Sequence, residues 1–381
     1  MGDFIIFGGS GMQGRICAKD LISSGYKIIL VGRDPKNIQD ILGNPRAEFI
    51  YADLHNEDSI NHILKKNRPK VVINCAELSF NIPIMKACLE NKIPYTDLGG
   101  LQRVTSDQFK FNKEFKKRKL LALTGCGSTP GIANVMAAYA VEKMERVESI
   151  YLGFAWDSNI KIFIVPYSIE SIFQEFSEMP VTFHNGKFVK DNRYRCKGTF
   201  DFKEVGRQTV YCIVHSEVYT FSKYFKRKGL QHIHYMAGFP EHSMRVINEL
   251  MSLGFGNKKL LEINGTKIRP IDATTRILKN IKMPKGYKER ENIWVRAEGK
   301  EKGREKKIEM NCIVKSVKGW ESAGSNIDTG RTISIMSQMI LNGEINAYGV
   351  HAPEGVVPQR KFFKELAKRR MWVYENGRKI N

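Results

Sequence analysis

The 381-residue sequence lacks several features that would each define a class of protein. It has no uncharged apolar run long enough to span a bilayer. Near its start, an acidic Asp3 and a glycine turn stand where a signal peptide would need a basic region and a cleavage site. We therefore expect a cytoplasmic protein that makes no membrane contact.

Cysteine pairs and hydrolase motifs are also absent. The seven cysteines (17, 75, 88, 126, 196, 212 and 312) never form C-x-x-C, which predicts neither a disulfide framework nor a thiolate zinc site. His232 and His234 have the spacing of metal ligands on one face of a strand, but no third ligand is evident, and we expect no metal. Without a Gly-x-Ser-x-Gly elbow, nucleophilic hydrolysis has no support.

Acidic residues are scarce relative to basic ones. Forty Asp and Glu stand against 61 Lys and Arg, a net charge of +21 that also suits a nucleic-acid binder. However, the basic clusters at 110–119, 223–228, 300–307 and 361–370 are mostly interleaved with apolar residues, as solvated helix and hairpin faces are. We therefore expect no specific nucleic-acid partner, and a positive field that would help collect anionic cofactors and carboxylate substrates.

The most informative stretch lies near the start of the chain. The apolar run Phe4 to Phe7 leads into Gly9-x-Gly11-x-x-Gly14 and then into helical spacing, which predicts strand, turn and helix. In such a turn the glycines allow a tight bend, a close approach of a pyrophosphate and helix-on-sheet contact, while the helix N-terminus receives the phosphates. The predicted cofactor-binding residues here are Gly9, Ser10, Gly11, Met12 and Gly14.

The first third of the chain repeats an apolar strand followed by an amphipathic helix, which predicts an α/β doubly wound parallel sheet. Strands are predicted at 3–7, 27–31, 47–51, 71–74, 94–97 and 120–124, and helices at 36–42, 59–66, 82–91 and 106–116. Because ligands of such sheets sit beyond the carboxyl ends of the strands, the residues that follow each strand are the site candidates.

The corner after the second strand predicts the cofactor. An NAD enzyme needs a carboxylate there for the ribose hydroxyls, but Gly32 stands in its place and is followed by Arg33, whose guanidinium suits a 2′-phosphate. We therefore expect NADP, with NAD possible if Asp34 takes the acidic role. Alternatively, Arg33 only stacks on the adenine or pairs with Asp34.

Three further positions follow the third and fourth strands. Asp53 could bond the adenine amino group or cap the helix that begins near Asn56. Asn74 and Ala76 would let the nicotinamide ribose approach the backbone, although small residues also occur where a strand tip packs under a helix.

The stretch Gly125 to Asn134 is the second informative one. These residue types could serve only to cap the helix that follows, with Thr129 as N-cap and Pro130 at the first helical position. Its place at the end of the sixth strand favours a functional interpretation, in which Cys126 and Asn134 face a substrate beside the nicotinamide.

After about Met144 the pattern changes to that of an α+β domain with a mixed or antiparallel sheet. Strands are predicted at 147–156, 161–165, 208–214 and 231–236, a turn at Asn185-Gly186 and a helix at 241–253. Apolar residues alternate with polar ones from Ile293 and again from Ile308. This pattern predicts a long two-stranded hairpin with one solvent-exposed face.

These motifs together resemble the saccharopine dehydrogenase-like oxidoreductases, the group of saccharopine reductase, lysine 6-dehydrogenase and carboxynorspermidine dehydrogenase. The resemblance covers most of the chain and rests on Gly9-x-Gly11-x-x-Gly14, Tyr95-Thr96-Asp97-Leu98-Gly99, Gly125-x-Gly127-x-x-Pro130-Gly131-x-x-Asn134, Tyr167-Ser168-Ile169-Glu170, Asn185-Gly186, Phe239-Pro240-Glu241-His242, Thr329-Gly330, Leu341-x-Gly343-Glu344-Ile345 and Gly349-Val350-x-x-Pro353-Glu354.

The resemblance implies a nicotinamide-dependent oxidoreductase acting on CH–NH groups of an amino acid or an amino-acid-derived imine. It implies a Rossmann domain at 1–128, a substrate or oligomerisation domain at 129–328, and a C-terminal helical segment at 329–381 that returns to the first domain. We expect an amino-acid-like small-molecule substrate and a homodimer. The predicted catalytic residues are Tyr95, Asp97, Cys126 and Asn134, with Asp97 transferring protons or, alternatively, capping the next turn.

The chain also departs from its relatives. Thr129 stands where several have an aspartate, and Met236-Ala237-Gly238 replaces an arginine-containing segment, so the substrate cannot be carried over. These departures support an alternative hypothesis, in which the protein binds NADP as a sensor or scaffold and catalyses no reaction.

Overall fold

The computed structural model describes residues 2–165, 167–192 and 195–381. The strands are β1 (Phe4–Phe7), β2 (Ile28–Gly32), β3 (Ala47–Tyr51), β4 (Val71–Asn74), β5 (Tyr95–Asp97), β6 (Leu121–Leu123), β7 (Arg146–Ser158), β8 (Val181–His184), β9 (Lys187–Lys190), β10 (Lys197–Phe202), β11 (Gly206–Cys212), β12 (His232–Gly238), β13 (Leu261–Ile263), β14 (Thr266–Ile268), β15 (Glu289–Glu301), β16 (Arg304–Lys315), β17 (Gly349–His351), β18 (Trp372–Glu375) and β19 (Arg378–Lys379). The helices are α1 (Met12–Ser23), α2 (Gln39–Leu42), α3 (Glu57–Asn67), α4 (Asn81–Asn91), α5 (Gln102–Phe109), α6 (Asn112–Lys117), α7 (Ile132–Glu142), α8 (Ile169–Ser177), α9 (Glu217–Tyr224), α10 (Glu241–Ser252), α11 (Pro270–Leu278), α12 (Ile327–Leu341), α13 (Pro353–Val356) and α14 (Gln359–Lys368).

The first sheet is parallel, with the strand order β17-β6-β5-β4-β1-β2-β3. Its strands β1, β2 and β4 are buried along their whole length, which explains their continuous apolar runs. β1 lies between β2 and β4, so the strand order reverses beside the glycine turn that follows β1. The predicted doubly wound parallel sheet is confirmed, and the three-residue β17 adds a seventh strand too short to show a sequence pattern.

The second sheet is mixed, as predicted. β12 runs parallel to β7, whereas β15 and β16 form the expected long antiparallel hairpin beside β7. Asn185 and Gly186, both with positive φ, form the turn between β8 and β9. Helix α7 packs against β7, β15 and β16 and is buried from Ile132 to Val141, so it is apolar on every side.

Two predicted elements were wrong in detail. The helix predicted at 106–116 is two helices, α5 and α6, separated at Lys110 and Phe111. The strand predicted at 161–165 is irregular, because the chain turns where the Ile162 amide donates to the Ile160 carbonyl at 2.9 Å.

The C-terminal part of the chain reaches both sheets. α12 packs on α1 so closely that a Cβ at Gly330 would lie 2.6 Å from the Ile16 Cβ. β17 pairs with β6 in the parallel sheet, and β18 pairs with β16 in the mixed sheet. The domain limits at 128 and 328 stay a prediction.

The structure joins Cys196 and Cys212 in a disulfide, where the sequence indicated none. The two residues are 16 positions apart, but Lys197 pairs with Tyr211, so the β10–β11 hairpin places the cysteines opposite each other. Among the helices of the described ranges, none combines the length and apolar character that a bilayer span requires.

Candidate functional site

The glycine-rich turn follows β1 at the carboxyl edge of the parallel sheet. The Gly9 amide donates to the Val31 carbonyl at 3.0 Å, which fixes the turn against β2. A Cβ at Gly14 would lie 2.4 Å from the Gly8 carbonyl oxygen, so only glycine lets α1 approach the turn. A Cβ at Gly9 would lie 2.6 Å from the Leu30 Cδ2 and 3.0 Å from the Ile6 carbonyl oxygen, so the fold itself favours glycine at both positions.

Gly11 differs from these two glycines. A Cβ there would meet one atom within 4 Å, the Gly8 carbonyl oxygen at 3.2 Å, so the protein leaves space above this residue. Gly11 is the N-cap of α1 and has no side chain to occupy the first-turn amides, which a pyrophosphate could therefore reach. Ser10 is half-buried and Met12 exposed beside it. These residues fit a dinucleotide cofactor.

Position 32, at the corner after β2, lies beside the Ser10 side chain. A Cβ at Gly32 would lie 2.6 Å from the Ser10 Oγ, so a larger residue there would require the Ser10 hydroxyl to rotate away. Arg33 and Asp34 are both exposed. The Asp34 carboxylate accepts a 2.9 Å hydrogen bond from the Lys36 amide, so one of its oxygens is already engaged in the following turn.

Asp53 lies at the end of β3 with its side chain exposed. It accepts hydrogen bonds from the His55 ring at 2.8 Å and the His55 amide at 3.1 Å, and these bonds lower the pKa of the carboxyl group. The helix-cap alternative for Asp53 was wrong, because the N-cap of α3 is Asn56, whose side chain accepts from the Asp58 and Ser59 amides.

Asn74 and Tyr95 belong to one buried network. The Asn74 side chain accepts from the Ala76 amide at 2.9 Å and donates to Asn81 Oδ1 at 2.8 Å. The Tyr95 hydroxyl donates to the Asn81 carbonyl at 3.2 Å, and its ring is fully buried in the core. Tyr95 therefore holds the turn after β4 in position, and a role for it toward a substrate stays a prediction.

Asp97 connects β5 to the loop that follows β6. Its carboxylate accepts a 3.0 Å hydrogen bond from the Gly125 amide and a second bond from the Gln108 side chain. The carboxyl group is fully buried, and burial raises its pKa. These contacts show that Asp97 holds the loop in place.

The loop from Gly125 to Gly131 differs from the predicted cap. Helix α7 begins at Ile132 with Gly131 as N-cap, so Thr129 and Pro130 precede the helix instead of capping it. Cys126 is fully buried, its Sγ lies 3.4 Å from the Leu123 carbonyl oxygen, and burial raises the pKa of the thiol. Cys126 thus packs into the loop in this structure, and its role beside a substrate stays a prediction.

Asn134 takes part in two buried contacts. Its Oδ1 accepts from the Gly131 amide at 2.8 Å and so caps α7, while its Nδ2 donates to Glu354 Oε2 at 2.7 Å. Burial raises the pKa of Glu354 to about 7. Hydrogen bonds from the Thr220 and Asn134 side chains oppose this rise in pKa, so the carboxyl group is held by neighbouring protein donors.

The structure reveals an acid–base cluster that the sequence analysis did not find. The His215 Nδ1 is hydrogen-bonded to Glu217 Oε2, and the His215 ring stacks on Tyr235 with centroids 3.8 Å apart. The Tyr235 hydroxyl donates to Thr129 Oγ1 at 2.7 Å, and the Ser216 amide donates to the Gly100 carbonyl at 3.0 Å. Both contacts anchor the cluster to loops at the carboxyl edge of the parallel sheet.

Further carboxyl groups are coupled to this cluster. Glu175 accepts a 2.6 Å hydrogen bond from the Tyr167 hydroxyl, and burial raises its pKa to about 7 while the charge of His215 opposes the shift. Burial also raises the pKa of Asp328 to about 6 and, together with the charge of Asp328, that of Glu291. A buried group of carboxyl side chains suits a positively charged ligand.

The one local sequence pattern that could have indicated this cluster is His215-x-Glu217. A histidine and a carboxylate two residues apart, after a predicted strand, are compatible with a proton-transfer pair. Glu175, Glu291 and Asp328 come from elements far apart in the chain, so no local pattern could have grouped them.

A parallel sheet with a glycine-rich turn at the point where the strand order reverses is the architecture of nucleotide-binding enzymes, among them oxidoreductases. The saccharopine dehydrogenase NADP binding domain model matches residues 4–123, and the saccharopine dehydrogenase C-terminal domain model matches residues 127–371. The chain therefore belongs to the saccharopine dehydrogenase family, as its motifs predicted, and a nicotinamide nucleotide is its cofactor.

Individual relatives are distant. The chain is 23% identical over 296 residues to the carboxynorspermidine synthase of Vibrio alginolyticus, covering 74% of this chain and 70% of that protein. It is 22% identical over 292 residues to the carboxyaminopropylagmatine dehydrogenase of a Synechocystis species, covering 73% of this chain and 72% of that protein. Apo saccharopine dehydrogenase (L-Glu forming) from Saccharomyces cerevisiae matches with a TM-score of 0.77 at 13% identity over 100% of both chains, a likeness of fold.

Proposed function

We propose that this protein is an NADP-dependent oxidoreductase that acts on the CH–NH group of an amino acid or an amino-acid-derived imine. The observation that carries the proposal is the buried His215–Glu217 pair, held against the loops that follow β5 and β6. When bound, the nicotinamide supplies or accepts the hydride, and the protein must provide binding, orientation and a proton.

The role proposed for His215 is proton transfer. An imidazole held by a carboxylate can carry a proton at one nitrogen while the other faces the reacting group, as general acid catalysis requires. His215 would thus donate a proton to the imine nitrogen during reduction and take it back during oxidation. Glu217 would fix the ring and stabilise its positive charge, and Tyr235 would support the opposite ring face.

The substrate class follows from charge. Glu175 interacts electrostatically with His215, and Glu291 with Tyr235, while Asp328 interacts with Glu291. These carboxyl groups favour a substrate that carries a protonated amine. The relatives are named for carboxynorspermidine and carboxyaminopropylagmatine, both amine-containing carboxylic acids. We propose a substrate of the same chemical class, and we retain Asn134 with Glu354 as a hydrogen-bonding group beside it.

The preference for NADP rests on the corner after β2. Gly32 leaves this corner without a carboxylate at the position where an NAD enzyme carries one, and a Cβ there would first meet the Ser10 Oγ. Asp34 is engaged by the Lys36 amide, whereas Arg33 is exposed and offers donors to a phosphate. We also keep the homodimer and the three-part domain division as proposals.

The test is an assay of NADPH oxidation with pairs of one amine and one amino-acid semialdehyde. Diamines, monoamines and glutamate serve as the amine, so that cationic and anionic substrates are compared. We expect turnover with at least one diamine pair and none with glutamate. If NADPH binds but no pair consumes it, the protein is a sensor or scaffold and the proposed function is wrong.

Variants test the proton-transfer role. His215→Gln should lower kcat by roughly 10²- to 10⁴-fold and leave the NADPH dissociation constant unchanged. His62→Gln is the matched control, because His62 is exposed on α3. An unchanged kcat in His215→Gln would remove His215 from the mechanism while leaving the family assignment intact.

A further inference from the structure

A second cluster of reactive side chains lies on the mixed sheet. Cys196, Cys212 and His234 each offer one ligand atom, and the three atoms lie within 4.8 Å of one another. Cys212 is buried, while Cys196 and His234 are half-buried, so the cluster is reachable from solvent. The sequence showed His232 and His234 without a third ligand, and the hairpin β10–β11 supplies two thiols that no local spacing revealed.

The cluster is distinct from the candidate active site. Successive side chains of a strand point to opposite faces of a sheet. The Tyr235 hydroxyl reaches Thr129 in the loop after β6, so the neighbouring His234 lies on the other face. A ligand bound there would touch neither His215 nor the glycine turn.

We propose that Cys196, Cys212 and His234 form a site for a zinc-class divalent cation when the two cysteines are thiols. The Cys196 Sγ lies 3.6 Å from the His234 Nδ1. A sulfur and a nitrogen bound to one tetrahedral zinc ion are about 3.6 Å apart, as follows from the usual zinc–ligand bond lengths. Two thiolates and an imidazole also form a ligand set that selects zinc over magnesium or calcium.

The rest of the sheet supports these ligands. The His234 ring stacks on Tyr151 with centroids 5.1 Å apart and planes within 9°, which fixes the direction of Nδ1. The Cα atoms of the two cysteines are 5.5 Å apart, so side-chain rotation can separate the sulfurs once they are reduced. The three ligands leave one position of a tetrahedral ion for water.

The disulfide and the ion exclude each other. Reduction by a phosphine in water breaks the S–S bond and gives two thiols and a phosphine oxide. Binding of the cation then displaces one proton from each thiol. A reducing compartment keeps cysteines as thiols and would favour the form that binds the ion.

Cobalt(II) is the optical probe for this site. Phosphine-reduced protein, freed of phosphine and titrated with cobalt(II), should bind one ion per chain with a thiolate charge-transfer band and intense tetrahedral visible bands. Zinc(II) should displace the cobalt and abolish both. Cys196→Ser, Cys212→Ser and His234→Ala should each lose the tetrahedral spectrum, whereas Cys75→Ser, in the loop directly after β4, should keep it.

A second measurement needs no variant. Zinc should protect Cys196 and Cys212 of the reduced wild-type protein from alkylation, as mapped by peptide mass spectrometry, and should raise its melting temperature. If reduced protein gives no thiolate–cobalt band, or if zinc leaves the alkylation of both cysteines unchanged, the cysteines form only a disulfide and the proposal is wrong.

Discussion

The Tyr235 hydroxyl donates a 2.7 Å hydrogen bond to Thr129 Oγ1, which ties a strand of the mixed sheet to the loop that follows β6. Because Tyr235 also stacks on His215, this bond links the position of the loop to that of the imidazole. Both partners of this contact are neutral hydroxyl groups, so the tie between loop and strand does not depend on a charged side chain at position 129.

The Tyr235–Thr129 contact can be tested by removing only the hydroxyl. Tyr235→Phe should cost about 1 kcal/mol in the free energy of unfolding, the usual net contribution of one hydrogen bond. The variant should remain folded under assay conditions, so its loss of stability alone would leave kcat unchanged. We nevertheless expect kcat to fall, because the loop can then move relative to His215. Urea unfolding and steady-state kinetics measure both. A normal kcat together with the expected loss of stability would make Tyr235 purely structural.

Gly11 and Gly14 form a matched pair for cofactor binding. Gly11→Val should leave a folded protein that no longer binds NADPH, because its Cβ would meet a single atom, the Gly8 carbonyl oxygen at 3.2 Å, whereas a pyrophosphate would have to approach the bare backbone. Gly14→Val should destabilise the fold by about 1–3 kcal/mol, since its Cβ would overlap the Gly8 carbonyl. Fluorescence titration and thermal unfolding separate the two effects, and normal NADPH binding by Gly11→Val would refute the phosphate-binding role.

Arg33 should determine the choice of cofactor. We expect the wild-type protein to bind NADPH more tightly than NADH, and Arg33→Ala to weaken NADPH about tenfold or more while sparing NADH. Calorimetric titration of both nucleotides into both proteins measures this difference. Tighter binding of NADH by the wild type would overturn the assignment and transfer the ribose contact to Asp34.

Stability should depend on pH through Glu354. Its pKa is raised from 4.5 in the unfolded chain to about 7 in the folded protein, so the native state binds this proton more tightly. Its contribution to stability is therefore complete below pH 4.5 and lost as pH rises to about 7, by up to roughly 3 kcal/mol.

The Glu354→Gln side chain still offers Asn134 an acceptor but cannot ionise. Between pH 4.5 and 7, the free energy of unfolding of this variant should therefore fall less than that of the wild type. Glu175 and Asp328 remain in the variant and will leave a residual slope. Glu262→Gln, on the exposed strand β13, is the control and should unfold like the wild type at each pH. Equal slopes for wild type and Glu354→Gln would contradict the assignment.

Local sequence patterns were sufficient for the parallel sheet and the cofactor turn. Apolar runs buried on both faces, amphipathic helices between them and glycines at fixed offsets are constraints within a few neighbouring residues. They identified β1, α1 and the corner at Gly32 and Arg33 before any packing was known. The same patterns could not show which way a side chain points once its strand is buried.

The tertiary structure alone decided which polar residues meet. Tyr95 begins β5, Asp97 ends it and Cys126 follows β6, but packing buries all three side chains in the core. His215, Tyr235 and Glu175 come from a loop, a strand and a helix, and Cys196 and Cys212 meet His234 because β11 pairs with β12. Sequence determines the elements through local periodicity, whereas long-range strand pairing determines the chemistry that their side chains can share.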